Sequence, residues 1–188
     1  MELIENKTFV KEDFTLTALP KAEYDNCTFV DCVFAEAQIS GIVFTECVFD
    51  GCNLSMAKAK NTGLKNVEFS HCKMLGFNFN YCDPFLMEVS FNNCILHLSS
   101  FYNLKLKNTR FISCDLREVD FTEADLSSAS FDDCDLRQAI FQDTVLEKAD
   151  LRTARNFSID PEMNRIKRSK FSKDGIAGLL DKYQIIIE

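Results

Sequence analysis

The chain has 188 residues, 46% of them hydrophobic, and a formal net charge of −8. Length and apolar content suit a single domain, and no stretch is long and apolar enough to cross a bilayer. The opening MELIENK is not a secretory leader, and with nine free thiols this implies a reducing, cytoplasmic setting.

From Phe9 onward an apolar residue, large at every place but Ala59, recurs at every fifth position, through Phe14, Leu19 and Tyr24 to Met74 and Phe79. After one interruption the series resumes at Leu86 and Phe91 and runs to Leu151. Call this slot i. Steps of five rotate by about 140° on a helix, which would scatter these residues around the axis. On a straight strand an odd step changes face each time. Neither element buries them all, so the chain must turn after every repeat, with i and i−2 pointing inward. All nine cysteines (Cys27, Cys32, Cys47, Cys52, Cys72, Cys82, Cys94, Cys114 and Cys134) fall on i−2, where Ala, Val, Thr and Ser also occur. A small buried filler explains them without disulfides, metal or catalysis.

Cys32, Cys52, Cys72, Cys94, Cys114 and Cys134 are spaced by 20 residues, except for one step of 22. The series Phe9, Phe29, Phe49, Phe69, Phe91, Phe111 and Phe131 has the same steps. Four repeats therefore close one square coil, and like side chains stack on like. At the strand spacing of about 4.8 Å, roughly seven coils give a rod about 34 Å long. The two extra residues lie in FNYCDPFLMEV, where Pro84 breaks the pattern. Phe85 and Met87 are expected either to protrude there or to fill the bulge.

The repeat lapses after Leu151. This divides the chain into a solenoid over 1–155 and a capping segment over 156–188. Asp160-Pro161 has the composition of a helix start. Ile166 and Phe171 are five apart and suit one last inward pair. KDGIAGLLDKY reads as a short amphipathic helix with Ile176, Leu179, Leu180 and Tyr183 on one side, and the final IIIE is compatible with an edge strand. The run RIKRSKFSK reads as a surface loop rather than a nucleic-acid site, so direct nucleic-acid binding is not expected.

Catalytic constellations are missing from the sequence. His71 and His97 fall on outward slots with no nucleophile to activate, and no phosphate-binding loop, CxxC pair or HExxH is present. No enzyme activity, metal or cofactor is expected.

The unit A/C-D/N-L/F-x-x, as in CDLREVDFTEADLSSASFDDCDLRQAIF, resembles the pentapeptide-repeat family over about residues 5–155. The resemblance implies an all-β fold, a right-handed quadrilateral parallel β-helix with a short C-terminal α-helical cap. The tail NFSIDPEMNRIKRSKFSKDGIAGLLDKYQIIIE resembles the C-terminal segment of the Qnr-like, quinolone-resistance branch. That implies a DNA-shaped mimic that binds a type II topoisomerase (DNA gyrase or topoisomerase IV) and reduces quinolone action. It also implies a homodimer through the C-terminus, for which Ile176, Leu179, Leu180 and Tyr183 would supply the interface. A structural protein-interaction scaffold with an unrelated partner is the alternative, and a cap that serves only its own chain is the alternative to the dimer. Long projecting loops, which several Qnr-like proteins carry, are absent from the repeats.

Charge adds a limited argument. Residues 113–155 carry eleven acids and five bases, but Asp115, Asp120, Asp125, Asp135 and Asp150 occupy i−1, where Asp or Asn is the repeat's own preference. Duplex DNA carries roughly 20 charges over a 34 Å rod, against a net of eight here. Shape and width imitate a duplex better than charge does. With the resemblance, the outward acids Glu118, Glu123, Asp132, Asp133 and Asp143 are the expected partner-binding residues.

Overall fold

An apolar residue at every fifth position forces a turn at every fifth position, and the chain meets that demand throughout. In the computed structural model, which describes residues 1–186, the backbone winds into a square parallel β-solenoid of about eight turns. One face carries nine stacked strands, from Thr8–Val10 through Val67–Ser70, Val89–Asn92 and Arg110–Ile112 to Lys170–Phe171. A second carries four, Glu2–Glu5, Ala22–Asp25, Val43–Thr45 and Gly63–Lys65. All pairs are parallel with the 20-residue register, such as Phe29↔Phe49 and Tyr24↔Phe44, apart from the one 22-residue step described below. The four faces can be named for Phe9, Phe14, Leu19 and Tyr24.

The i+2 residue makes each turn. It sits in the left-handed region even where it is not glycine, as in Glu36 (φ +58°), Met56 (+55°) and Leu98 (+61°). Such a conformation costs a non-glycine residue roughly 1–2 kcal/mol. The stacked backbone offsets it, because each turn N–H donates to the next coil: Glu36 N–H to Ser55 O at 2.9 Å, and Leu98 N–H to Arg117 O at 3.1 Å. Many turns are also closed by the next i−2 N–H donating to the i carbonyl, as from Ala37 to Phe34 (2.9 Å) and Ala124 to Phe121 (3.0 Å). With the positive φ at the third residue these are type II turns. The turns after Tyr24, Phe29, Phe44, Phe49, Phe69, Phe91, Phe111 and Phe131 lack that closing bond, and there the next i−2 residue is cysteine; those after Leu64 and Phe141, leading to Val67 and Thr144, lack it too.

Inside, phenylalanines stack face to face along the rod and edge to face across it. Phe91 and Phe111 lie 5.2 Å apart at 6°, and Phe111 and Phe131 5.1 Å apart at 6°. Phe111 meets Phe101 and Phe121 nearly perpendicularly, at 84° and 79°. All nine cysteines are buried and reduced.

The 22-residue coil lies where the spacing places it. Gly63 pairs with Asp83, a step of 20, whereas Val67 pairs with Val89, a step of 22. The extra residues thus sit between Asp83 and Val89. Leu86, expected at an inward slot, is instead 67% exposed. It takes the turn, with φ +55°, while Met87 packs against the core in its place. The 20-residue register still holds at Asp83, so Leu86 takes the turn slot that Asn66 (φ +52°) fills in the coil below, and the two extra residues follow it. Of the two residues expected to protrude or fill, Phe85 protrudes (65% exposed) and Met87 fills.

The C-terminal segment differs from its reading in four respects. Parallel stacking continues past Leu151, which pairs with Phe171, so the turns number about eight rather than seven. Ile166 and Phe171 pack against the core as the expected last pair, and the basic run is the coil that carries them. No helix starts at Asp160-Pro161; Asp160 Oδ1 accepts the Glu162 N–H at 2.9 Å in a local turn. The cap is not α-helical but two short 3-10 helices, Gly175–Leu179 and Asp181–Tyr183. Two glycines weaken an α-helix this short. Gly178 is required by contact, since a Cβ there would lie 2.1 Å from Phe157 O. Ile185 and Ile186 are not in a strand, and the rest of the expected edge strand lies outside the described residues.

Candidate functional site

The late coils carry two kinds of acid, which the local geometry separates. At i−1, Asp115, Asp120, Asp125, Asp135 and Asp150 each accept the backbone N–H two residues on, at 3.2, 2.9, 3.1, 3.1 and 3.2 Å. These side chains hold the turns, as expected for Asp in that slot. Two of them also clamp a guanidinium. Asp115 takes Arg117 Nε at 2.7 Å and Nη2 at 2.6 Å, and Asp150 takes Arg152 Nε at 2.9 Å and Nη2 at 2.7 Å. Arg152 and burial act in opposite directions on Asp150, and the arginine prevails, holding the carboxyl down at about 2.

The outward acids point to solvent. Glu118, Glu123, Asp132, Asp133 and Asp143 are all exposed, and among the described residues none has a lysine or arginine at its carboxylate. Four of them, Glu118, Glu123, Asp133 and Asp143, are left-handed turn residues with φ of +54°, +59°, +54° and +53°. The structure does not bring the five together. Asp132 and Asp133 follow the Phe9 face, Glu118 the Phe14 face, and Glu123 and Asp143 the Leu19 face. Only Glu123 and Asp143 stack on one corner, one coil apart, with Glu123 N–H donating to Gln142 O at 2.8 Å.

Charge is distributed differently from that reading. Residues 1–55 hold ten acids and three bases, residues 56–110 three acids and seven bases, and residues 111–188 sixteen acids and eleven bases. The net is −7, then +4, then −5. The strongest acidic excess is in the first coils, with a basic waist at mid-rod. A running charge count along the repeats was available to find this.

His71 Nδ1 lies 2.8 Å from Asp50 Oδ1, and His97 Nδ1 lies 3.0 Å from Arg117 O. His71 is well exposed, whereas the side chain of His97, expected to be exposed, keeps only 24% of its surface. No group of three or more His, Cys, Asp or Glu residues converges on a metal-sized site among the described residues. Among those residues, no helix is long and apolar enough to cross a membrane.

The expected dimer stripe is divided. Leu179 packs against the core and Leu180 is half-buried, whereas Ile176 and Tyr183 are 49% and 55% exposed. Lys182 ties the cap down, reaching Asp160 Oδ1 and Glu162 Oε2 at 2.8 Å each.

Residues 27–66 match the family described as "Pentapeptide repeats (8 copies)", and residues 85–155 match "Pentapeptide repeat region". The chain is a pentapeptide-repeat protein. Its fold is shared with the structure of QnrB1 (full length), a plasmid-mediated fluoroquinolone resistance protein. That match has 18% identity and a TM-score of 0.59, and it covers 97% of this chain and 100% of the other. A trypsin-treated variant of QnrB1 matches with 21% identity and a TM-score of 0.60, over 100% of this chain and 92% of that one. No curated protein matches the chain. For a pentapeptide-repeat protein the inward slots are committed to packing. Any contact surface must therefore be written in i−1, i+1 and i+2, on the turns described above.

Proposed function

We propose that this pentapeptide-repeat protein belongs to the Qnr-like branch. In that reading it acts in the cytoplasm and binds a type II topoisomerase, gyrase or topoisomerase IV, as a duplex-shaped rod. It lowers quinolone action there without catalysis. The observation that carries the reading is the end-to-end match to a fluoroquinolone resistance protein, in which almost no part of either chain is left over. The tail resemblance supports it independently of the repeats. The exposed acids Glu118, Glu123, Asp132, Asp133 and Asp143 are the proposed contacts, since among the described residues no lysine or arginine occupies their carboxylates. Because they lie on three faces, a partner that uses all five must wrap the rod, as a DNA-binding cleft wraps a duplex. In the same reading the cap joins a second copy through Ile176, Leu180 and Tyr183. The deciding experiment is a gyrase supercoiling and cleavage assay with and without ciprofloxacin, adding the protein in a concentration series. Partial rescue from the drug at micromolar protein is expected.

The alternating charge of −7, +4 and −5 along the chain favours the second reading, an interaction scaffold with another partner, because a duplex is uniformly negative. A protein without effect on supercoiling or on drug-induced cleavage leaves the scaffold reading in place.

A further inference from the structure

The Tyr24 face carries a charge polarity of its own. Its inward positions run through nine layers, Ile4, Tyr24, Phe44, Leu64, the Asp83–Glu88 bulge, Leu106, Leu126, Leu146 and Ile166. The bulge is the middle layer, with four layers on each side. Below it, the outward slots carry Glu5, Glu23, Asp25 and Glu46 against one base, Lys65. Above it they carry Lys105, Lys107, Lys148, Arg165, Lys167 and Arg168 against Asp125 and Glu147. The lower half therefore nets −3 and the upper half +4. None of the four lower carboxylates has a lysine or arginine partner among the described residues, and Glu5 and Asp25 are stacked directly in register. Like charges placed opposite each other on neighbouring strands destabilise the sheet.

The centre of this face is apolar. Phe85 and Leu86 stand out from the bulge at 65% and 67% exposure. Beside them the backbone ladder is interrupted. No backbone hydrogen bond joins residues 84–88 to residues 104–108, although the 84–88 segment is bonded to the coil below through Glu88 N–H to Leu64 O at 3.0 Å. The interruption opens a groove of about 370 Å³ whose lining includes Met87, Glu88, Lys105, Lys107 and Asn108.

We propose that the Tyr24 face is a self-association surface, on which a second copy docks antiparallel about a two-fold axis through the bulge. Only a partner with opposite charge polarity and an apolar group at its midpoint satisfies all three features. A copy of this chain turned end for end is such a partner. The axis sets the Glu5–Asp25 end of one rod against the Lys148–Arg168 end of the other, twice per dimer, which is the self-complementarity of an isologous contact. Phe85 and Leu86 of each rod enter the groove beside the partner's bulge. Nearer the axis like charges meet, Lys65 against Lys105 and Lys107 and Glu46 against Asp125, so the attraction is carried by the two ends. A strip along one face of a slender rod is at the small end of interfaces, so dissociation on the order of 10 μM is expected. Rim charges of this kind are screened by salt. The surface is separate from the cap and does not depend on topoisomerase binding.

Sedimentation equilibrium of the full chain carrying Leu180→Glu, which removes the cap contact of the proposed function, from about 1 to 100 μM tests it. That chain should pass from monomer to dimer over that range, and about tenfold higher concentration should be needed when salt is raised to about 1 M. Phe85→Glu with Leu86→Glu should leave a monomer with an unchanged thermal melt, because both side chains are already in solvent. Glu5→Lys with Asp25→Lys should also be monomeric, as should Lys167→Glu with Arg168→Glu. A chain bearing both charge swaps should dimerise again. In the Leu180→Glu chain, a dimer that survives the bulge variant overturns the proposal, as does failure of the combined swap to restore association, or a monomer throughout.

Discussion

The sulfur of Cys72 lies 3.3 Å from the carbonyl oxygen of Phe49, the i residue of the coil below, and 3.3 Å from that of Ser70 in its own coil. The same link recurs from Cys52 to Phe29 and from Cys94 to Phe69, each at 3.3 Å. Each thiol is thus a small spacer that also donates a weak bond between coils. Stacked thiols and burial together push Cys72 and Cys114 up, and burial pushes Cys47 and Cys82 to about 12. Bonds from stacked neighbours push Cys52 and Cys94 the other way, so what withholds the thiols from reagents is that all nine are buried. Titration with a thiol reagent should find few reactive groups in the native protein and all nine after denaturation. Rapid labelling of most thiols in the native state would contradict this account.

Phe111 is packed between Phe91 and Phe131 in its own stack and between Phe101 and Phe121 across the core, and it is fully buried. Its stack neighbours are fixed by their own coils and cannot slide into a void. Phe111→Ala should cost about 3–5 kcal/mol in urea denaturation. A loss below about 1 kcal/mol would mean that the rod repacks by shifting coils.

Asp150 gives stability a pH dependence of known sign. Arg152 first, with backbone and Lys170 contributions, lowers its folded pKa to about 2. An unfolded aspartate titrates near about 3.9. The folded value is depressed, so the contribution is complete above about pH 4 and is lost as pH falls toward about 2. Asp150→Asn retains the oxygen that accepts the Arg152 backbone N–H but puts an amide donor in place of Oδ2, so the Arg152 Nη2 bond and the Lys170 ion pair are lost with the charge. It should cost on the order of 1 kcal/mol at pH 7, a figure kept low because Arg152 is exposed. The gap between variant and unaltered protein should close in acid unfolding near about pH 2.

Asp132 and Asp133 test the proposed topoisomerase contact without testing the fold. Asp133 has φ +54°, and the equivalent turn slot already holds Lys11 at +56° and Lys148 at +61°. Reversal to lysine at both positions is therefore compatible with the turn. It should leave the thermal melt within about 2 °C, weaken gyrase binding, and reduce the salt dependence of what remains. Binding unchanged by the reversal would remove these two residues from the interface.

The spacing of apolar residues by itself dictated most of the architecture. A five-residue period is compatible with neither a helix nor a straight strand, so turns were obligatory. The 20-residue identity of Phe9, Phe29 and Phe49 fixed the stacking, and the single 22-residue step located the bulge. The Asp slot at i−1 was legible for the same reason, because Asx turns depend on two neighbouring residues only. What the sequence alone did not determine depends on contacts between distant segments. Whether Leu86 or Met87 entered the core was decided by where the backbone of the bulge rejoined the ladder at Val89. That position 178 must be glycine was decided by Phe157, whose carbonyl leaves no room there for a Cβ. The five outward acids looked like one patch in sequence but occupy three faces, because a charge count along a chain ignores the quarter-turn that each repeat makes. The opposed charges of the Tyr24 face, written at intervals of 20 residues, became one continuous edge only when the coils were stacked.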